Sequence, residues 1–293
     1  MKTRLFIVIL TILLAGCEKD KNDPIREPKK INLPAKASDV IYKSNGFGID
    51  LFKEVSKDED GNFMLSPLSA STALTMLLNG CKETTYTQIQ QMLQLNSLTT
   101  DEINGVYKSL VDQLLNADPT VKLALANAIW YEQRFTVKPT FLEVMRTEFS
   151  ARIEALDFTQ TSALATMNKW ASDNTYGKIP VVLTEISPEA VMFLMNALYF
   201  KGRWSYQFDP TKTSQENFYK TANDVIQVNM MHGKINAKTN YSNNYQAIEL
   251  TYGRTNFSMI ILVPNENLNT FLTTLTSSEW SSLTQYLDEN NAL

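Results

Sequence analysis

The chain has 293 residues, of which 44% are hydrophobic and 20% charged, so it is long enough to bury a large core. Its formal net charge is −4, and acidic and basic residues are interspersed without a basic stripe, which argues against nucleic-acid binding. The single histidine, His232, argues against a histidine-based metal site. The sequence therefore predicts neither a metal nor a cofactor.

The start of the chain has the pattern of a bacterial lipoprotein leader. Basic residues precede an apolar run, Leu5–Leu14, that is too short to span a bilayer comfortably. The run ends in Leu-Ala-Gly-Cys17, which resembles a lipobox, where cleavage leaves Cys17 as a lipid-modified N-terminus. An ordinary signal peptide with a chance cysteine is the alternative. Residues 1–17 thus predict a lipid-anchored protein of the bacterial cell envelope, exposed outside the cytoplasm and attached to a membrane through its lipid.

Residues 18–36 are predicted to be a flexible tether. The segment is dense in charges of both signs and contains three prolines, and such a composition buries too little apolar surface to order itself. The prolines favour a semi-extended path that would hold the folded body away from a membrane. Residues 37–293 then form the globular domain, in which the remaining cysteine, Cys81, is expected to be a small core residue.

The first part of this domain is predicted to be mostly helical. Ser66 followed by Pro67 indicates an N-cap with proline at the first helical position, and this helix should end at Gly80. Thr85 and Gln88 have capping-box spacing for the next helix. Apolar periodicity also predicts helices at Ile41–Val55 and Glu102–Leu115 and a short strand at 62–65.

Val121–Tyr131 changes to the two-residue period of a strand. One face carries three alanines, Ala124, Ala126 and Ala128, which would allow a helix to approach the sheet closely. The opposite face carries Leu123, Leu125, Asn127, Ile129 and Tyr131. The segments predicted next are a helix from Pro139, a strand at Ile153–Phe158 and a helix at Ser162–Asn174.

Ala190–Phe200 is apolar or aromatic at every residue except Asn196. Pro188 precedes the run and Lys201-Gly202 follows it, and this punctuation favours a strand covered on both faces. We interpret the run as a strand in the middle of the main sheet. A buried, unpaired Asn196 amide would cost about 1–3 kcal/mol, so its side chain should have partners.

The last part of the chain is predicted to contain more strand. Val225–Met231 is one candidate, and Ala247–Tyr252 and Phe257–Val263 predict a β-hairpin in an apolar core. Two short helices are predicted within Leu268–Leu287, the second capped by Ser277.

Several segments together resemble the serpin family, in the family's order and spacing, from about Ala37 to Leu293. They are NFMLSPLSASTALTMLLNGCKETTYTQIQQML (62–93), ANAIWYEQRFTVKPTFLEVMRTEFSARIEALDF (126–158), NKWASDNTYGKIPVVL (168–183), MNALYFKGRWSYQFDPTKT (195–213), VNMM (228–231) and QAIELTYGRTNFSMIILVP (246–264). The resemblance implies an α+β fold, with helices packed on a large central β-sheet and smaller sheets beside it.

The resemblance also implies a function. In serpins a reactive loop near the C-terminus is bait for a protease, and after cleavage it inserts beside the strand that Asn196 occupies here. The implied activity is suicide inhibition of a serine or cysteine protease. The family's shutter, polar residues under the sheet, falls on Ser66, Ser69 and Asn196, and its breach, where the loop enters, falls on Trp204. Helix capping by Ser66 and core packing by Trp204 are simpler roles for the same residues.

The chain departs from the family's pattern at its C-terminal end. The reactive loop, its hinge, the last strands and the shutter's usual histidine would lie beyond Leu293, and His232, expected at the surface, is not that histidine. The sequence is therefore interpreted as a truncated serpin whose full-length parent inhibits proteases. A non-inhibitory surface-binding or carrier protein is the alternative. No enzyme activity is expected, because G-x-S-x-G, H-E-x-x-H and a phosphate-binding glycine loop are missing from the sequence.

Overall fold

The computed structural model describes residues 27–59, 61–221 and 223–290. The helices are α1 (Ala37–Val55), α2 (Pro67–Leu78), α3 (Glu83–Met92), α4 (Thr100–Leu114), α5 (Pro139–Phe149), α6 (Thr161–Asn174), α7 (Leu268–Thr274) and α8 (Ser277–Glu289). The strands are β1 (Lys122–Glu132), β2 (Arg152–Leu156), β3 (Met192–Lys201), β4 (Thr213–Thr221), β5 (Asp224–Met231), β6 (Lys238–Tyr241), β7 (Tyr245–Tyr252) and β8 (Phe257–Pro264).

The main sheet has the strand order β2-β1-β3, with β1 parallel to β2 and antiparallel to β3. The two faces of β1 pack as the sequence predicts. Ala128 and Trp130 belong to a core cluster with Met167 and Trp170 of α6, so a helix does lie on the alanine face. On the other face Ile129 packs among residues of α2, α4 and α5.

The predicted central strand, β3, lies at an edge of the described sheet. It pairs with β1 from Tyr131↔Met192 to Lys122↔Lys201, and no other described strand pairs with it. Its neighbouring residues Leu194 and Met195 nevertheless enter the core clusters on opposite faces of the sheet. The position predicted for this strand, in the middle of the sheet, was therefore wrong. Apolar residues on both faces of a strand indicate that both faces are covered, but they do not show whether both of its edges are paired with other strands.

Two smaller sheets follow in the described part of the chain. The β4–β5 hairpin pairs with no other described strand, and β6, β7 and β8 form an antiparallel sheet in that order. The β7–β8 hairpin was predicted, whereas β4 and β6 were not, because polar residues dominate both strands. Helices on a main sheet with smaller sheets beside it confirm the predicted α+β fold.

Several local predictions need correction. No strand forms at 62–65. The helix α3 begins at Glu83 with Lys82 as N-cap, so Thr85 lies inside the helix and forms no capping box. The N-cap of α8 is Thr276 rather than Ser277, since the Thr276 side chain accepts from the backbone N–H of Glu279. For both helices, a neighbouring residue was as plausible an N-cap from the sequence as the residue that was predicted.

Residues 27–36 lie against the domain, although the sequence places them in a flexible tether. The backbone N–H of Asn32 donates to Oε1 of Gln113 over 2.6 Å, and Leu33 packs against the core between α1 and α4.

The predicted leader with Cys17 lies outside the described residues. Within the described ranges no helix is long and apolar enough to cross a membrane. Cys81 is half-buried beside the same core, and burial raises the pKa of its thiol.

The capping box of α4 predicts a specific acid sensitivity. Thr99 and Glu102 cap each other, and the pKa of Glu102 falls to about 2 because Lys36 and Thr99 bond to its carboxylate. A lowered pKa gives stability that is complete above the ordinary value of 4.5 and lost as the pH falls toward about 2. We expect Glu102→Gln to lower the unfolding temperature at neutral pH. At the acidic end of this window, its unfolding temperature should equal that of the unsubstituted protein. Asp101→Asn, outside the capping box, is the control, and a constant difference between parent and Glu102→Gln at every pH would contradict the assignment.

Candidate functional site

Two asparagines face each other in the middle of the β1–β3 ladder. Asn127 and Asn196 are directly opposed in the register, and the Asn196 Nδ2 donates to the Asn127 Oδ1 over 2.8 Å. Asn196 therefore has the partner that its position in an apolar strand requires. That partner comes from the neighbouring strand.

The helix α5 fixes the orientation of this amide pair. The Asn127 Nδ2 donates to the carbonyl of Phe149 over 2.8 Å and to the Tyr107 hydroxyl over 3.1 Å. A carbonyl can only accept, so the Asn127 amide must present its nitrogen to Phe149 and its oxygen to Asn196. Asn196 must then point its own nitrogen at Asn127. Its Oδ1 is left buried, and no described residue donates to it.

Tyr107 connects the pair to α4. Its ring is buried and stacks on Phe149, with the ring centroids 4.9 Å apart. Burial raises the pKa of Tyr107, and hydrogen bonds with Asn127 and Thr72 only partly offset that effect, so the phenol stays neutral. Thr72 is itself buried and donates to the carbonyl of Leu68. A continuous hydrogen-bonded network thus leads from Tyr107 of α4 through Asn127 to Asn196 of β3.

The two serines predicted to belong to the shutter form a separate pair at the start of α2. The Ser66 hydroxyl donates to Ser69 Oγ over 2.8 Å and accepts from the Ser69 backbone N–H over 3.3 Å. The predicted capping role of Ser66 is confirmed. Among the described residues neither serine bonds to Asn196. The structure therefore does not bring the three predicted shutter residues into one hydrogen-bonded group.

Trp204 lies just beyond the end of β3, against the end of β7 at Tyr252. Its ring stacks on Tyr252, with centroids 4.3 Å apart and planes 14° from parallel, and the two residues form a backbone bridge. Ser205 extends this contact by donating its N–H to the carbonyl of Thr251 over 2.9 Å. Trp204 also lines a cavity of about 490 Å³. It therefore joins the main sheet to the third sheet.

His232 lies at the surface, as expected, and its Nε2 is 2.6 Å from Oε1 of Glu216. Hydrogen bonds from Ser214 and His232 lower the pKa of Glu216. No group of three or more metal-ligating side chains occurs in the described ranges.

Asn127 and Tyr107 belong to the site but were not predicted from the sequence. The available signal was Asn127, which lies among apolar side chains of its strand just as Asn196 does in β3. Two such amides in strands predicted to share a sheet are candidates for mutual pairing. Their exact opposition depends on the register, which the sequence does not show.

The network predicts an ordering of substitution effects. Asn127→Leu leaves the Phe149 carbonyl, the Tyr107 hydroxyl and the Asn196 amide without their partner, so it should cost about 2–4 kcal/mol of unfolding free energy. Asn196→Leu leaves only the Asn127 Oδ1 unpaired and should cost about 1 kcal/mol. The double variant should lose no more than Asn127→Leu alone, because it also removes the Asn196 amide that the single variant leaves unpaired. Denaturant unfolding of the four proteins measures this, and simple addition of the two single losses would disprove the coupling.

Comparison with known proteins identifies the family to which the chain is similar. A family profile described as Serpin (serine protease inhibitor) matches residues 42–293. An uncharacterized serpin-like protein of Methanosarcina acetivorans is 27% identical over 97% of this chain and 70% of its own length. A leukocyte elastase inhibitor of Xenopus laevis is 33% identical over 76% of this chain and 60% of its own length.

Solved structures agree with this assignment. The crystal structure of a thermophilic serpin, tengpin, in the latent state superposes with a TM-score of 0.78 and 27% identity, covering 88% of this chain and 69% of that one. The chain thus spans about 60–70% of the length of these three relatives. The profile match alone covers well over half of the sequence. The chain belongs to the serpin family.

Proposed function

We propose that the full-length protein is a serpin-type inhibitor of a serine or cysteine protease, acting by insertion of a reactive loop beside β3. The observation that carries the proposal is β3 itself. Its outer edge is unpaired among the described residues, and in its middle Asn196 presents a buried oxygen that needs a donor. A strand added at this edge would gain a ladder of backbone hydrogen bonds and could also satisfy Asn196.

The chemistry of insertion follows from these groups. An inserted strand has to supply a hydrogen-bond donor next to Asn196, because the Phe149 carbonyl fixes the amide pair with its oxygen outward. Insertion would begin near Trp204, where β3 ends against the β7–β8 hairpin. The energy for distorting a protease would come from strand addition, and this chain's own part is to provide the edge and the acceptor.

The family includes inhibitory relatives, which supports the proposal. The Xenopus laevis relative is named as a leukocyte elastase inhibitor, and the matching family profile is described as serine protease inhibitor. The target protease and the residue at the cleaved bond are determined by the reactive loop. Sequencing downstream of Leu293 tests the proposal, because a hinge of small residues favours insertion and bulky, charged or proline residues favour a passive role.

A carrier function is the second candidate. An open apolar cavity of about 410 Å³ lies between α1, β8 and the last two helices. Its lining includes Phe52, Ile260, Leu262, Phe271 and Trp280. Its size and apolar lining suit a small hydrophobic ligand. Binding of a hydrophobic fluorescent probe that is lost on Leu262→Gln, without loss of fold, would favour this function.

We also propose that Cys17 is lipidated and that the domain is displayed from a membrane of the bacterial cell envelope. The support is the lipobox-like sequence and the charged, proline-containing segment after it. Display at the envelope would suit protection against foreign or endogenous proteases.

The anchoring proposal predicts a change in partitioning. The unsubstituted protein should enter the detergent-rich phase. Its mass should correspond to cleavage before Cys17 plus the bound lipid. Cys17→Ser should lose the lipid mass and move to the aqueous phase. If the Cys17→Ser protein still partitions into detergent with the same mass as the parent, Cys17 is not the anchor.

The inhibition proposal predicts that residues 17–293 alone inhibit no protease and associate in solution. The edge of β3 is unpaired, and β8 exposes Met259, Ile261 and Val263 on alternate positions of one face. We expect early elution on size exclusion and a broad unfolding transition, both corrected by a C-terminal continuation of the chain. A monodisperse monomer with a sharp transition would contradict the association, and stoichiometric inhibition of any protease would contradict the requirement for the loop.

A further inference from the structure

The segment just before α1 contacts two parts of the domain that are far apart in the sequence. We call residues 27–33 the N-terminal strap. It runs along the C-terminal half of α4 and the following loop, and it reaches the turn between β7 and β8 at 253–256. These two parts of the domain are more than a hundred residues apart in sequence, and the strap contacts both.

The strap is held mainly through its backbone. The Lys29 N–H donates to the carbonyl of Ala117 over 2.9 Å, and the Lys29 carbonyl accepts from Nδ2 of Asn256 over 3.0 Å. Gln113 bonds in the same reciprocal way to Asn32, accepting from its N–H over 2.6 Å and donating to its carbonyl over 2.9 Å. Two residues of the strap thus have both backbone groups paired to the domain. Free tethers do not have such pairing.

Charged groups reinforce the same contact. Arg254 Nη1 lies 3.1 Å from Oε2 of Glu27, and the Arg254 backbone N–H donates to Oδ2 of Asp118 over 2.7 Å. Burial acts to raise the pKa of Asp118, but hydrogen bonds from Thr120 and Arg254 and the charge of Arg254 outweigh it and lower the pKa. The Asp118 carboxylate therefore remains charged and fixes the turn to the α4–β1 loop.

The turn that receives the strap also holds the segment after β3. The Gly253 N–H donates to the carbonyl of Arg203 over 2.8 Å, and the Ser205 hydroxyl donates to the Gly253 carbonyl over 3.0 Å. Gly253 has φ +52°, and a Cβ there would lie 2.7 Å from Oδ2 of Asp118, so only glycine fits. Trp204 stacks on Tyr252 beside these bonds. An unbroken set of contacts leads from the strap to the end of β3.

We propose that the N-terminal strap is a clasp that stabilises the β7–β8 turn and, through it, the end of β3 at Trp204. Release of the strap loosens that end of the main sheet. The segment that precedes α1 would then control how readily the main sheet opens at that end. The inference rests on the described contacts alone and holds whether or not Cys17 carries a lipid or the protein inhibits proteases.

Hydrogen–deuterium exchange of the full chain in mild non-ionic detergent tests the clasp. Lys29→Pro removes the N–H that bonds to Ala117, whereas Lys29→Ala keeps it and is the matched control. In Lys29→Pro we expect exchange about tenfold faster in the strap and measurably faster exchange in peptides covering 199–206 and 250–257. Exchange in α6, on the opposite face of the main sheet from α2, should stay at the parent rate.

A second variant acts from the domain side. Asn256→Asp replaces the donor with a carboxylate oxygen against the carbonyls of Lys29 and Ala117, and exposed Asn269→Asp is its control. The same exchange pattern is expected. The proposal is overturned if the strap of the parent exchanges at the rate of a free chain. It is also overturned if either variant releases the strap while 199–206 keeps the parent rate, or if Lys29→Ala has the effect of Lys29→Pro.

Discussion

The hydrogen bond between Asn127 and Asn196 is the constraint on which the interpretation of the main sheet depends. It is a polar contact in the apolar middle of the β1–β3 ladder, and its direction is imposed by the carbonyl of Phe149 at the end of α5. That carbonyl is in position because Ser150 adopts a left-handed conformation and ends the helix there. A helix terminus thereby determines which atom of β3 remains available at the centre of the sheet.

The second restraint on β3 lies at its end. Trp204 and Tyr252 connect the strand to the β7–β8 hairpin, and the turn of that hairpin is tied to Asp118 and to residues 27–33. The strand is thus held at its middle by an amide pair and at its end by an aromatic stack. Any strand that enters beside β3 has to satisfy the first restraint and pass the second.

The sequence predicted those features that depend on side-chain periodicity. The alanines of β1 face a helix, Ser66 caps α2, and the hairpin at Ala247–Val263 forms, because each of these is determined by residues close together in the chain. What could not be predicted depends on pairing between distant segments. The edge position of β3 does not follow from side-chain periodicity, since both faces of an edge strand can be covered. Nor does the docking of Lys29, since its backbone bonds use no side chain of the strap and leave no pattern in its composition.

In the candidate site, too, the features set by nearby residues were predicted, and those that depend on distant segments were not. Asn196 was identified because a lone amide in an apolar strand demands a partner, but Asn127, Tyr107 and the Phe149 carbonyl required the register and the position of α5. Ser66 and Ser69 were assigned to the same group by resemblance, and the structure pairs them with each other.

Backbone amide exchange along β3, measured residue by residue by NMR on residues 17–293 at a dilution where size exclusion shows only monomer, tests the central claim most directly. In an antiparallel ladder with one partner, every second N–H points toward that partner and the others point outward. We expect slow exchange at alternate residues of Met192–Lys201 and fast exchange at those between, showing an edge that can accept a strand. Slow exchange at every residue of β3 would show that the edge is already paired and would contradict the account.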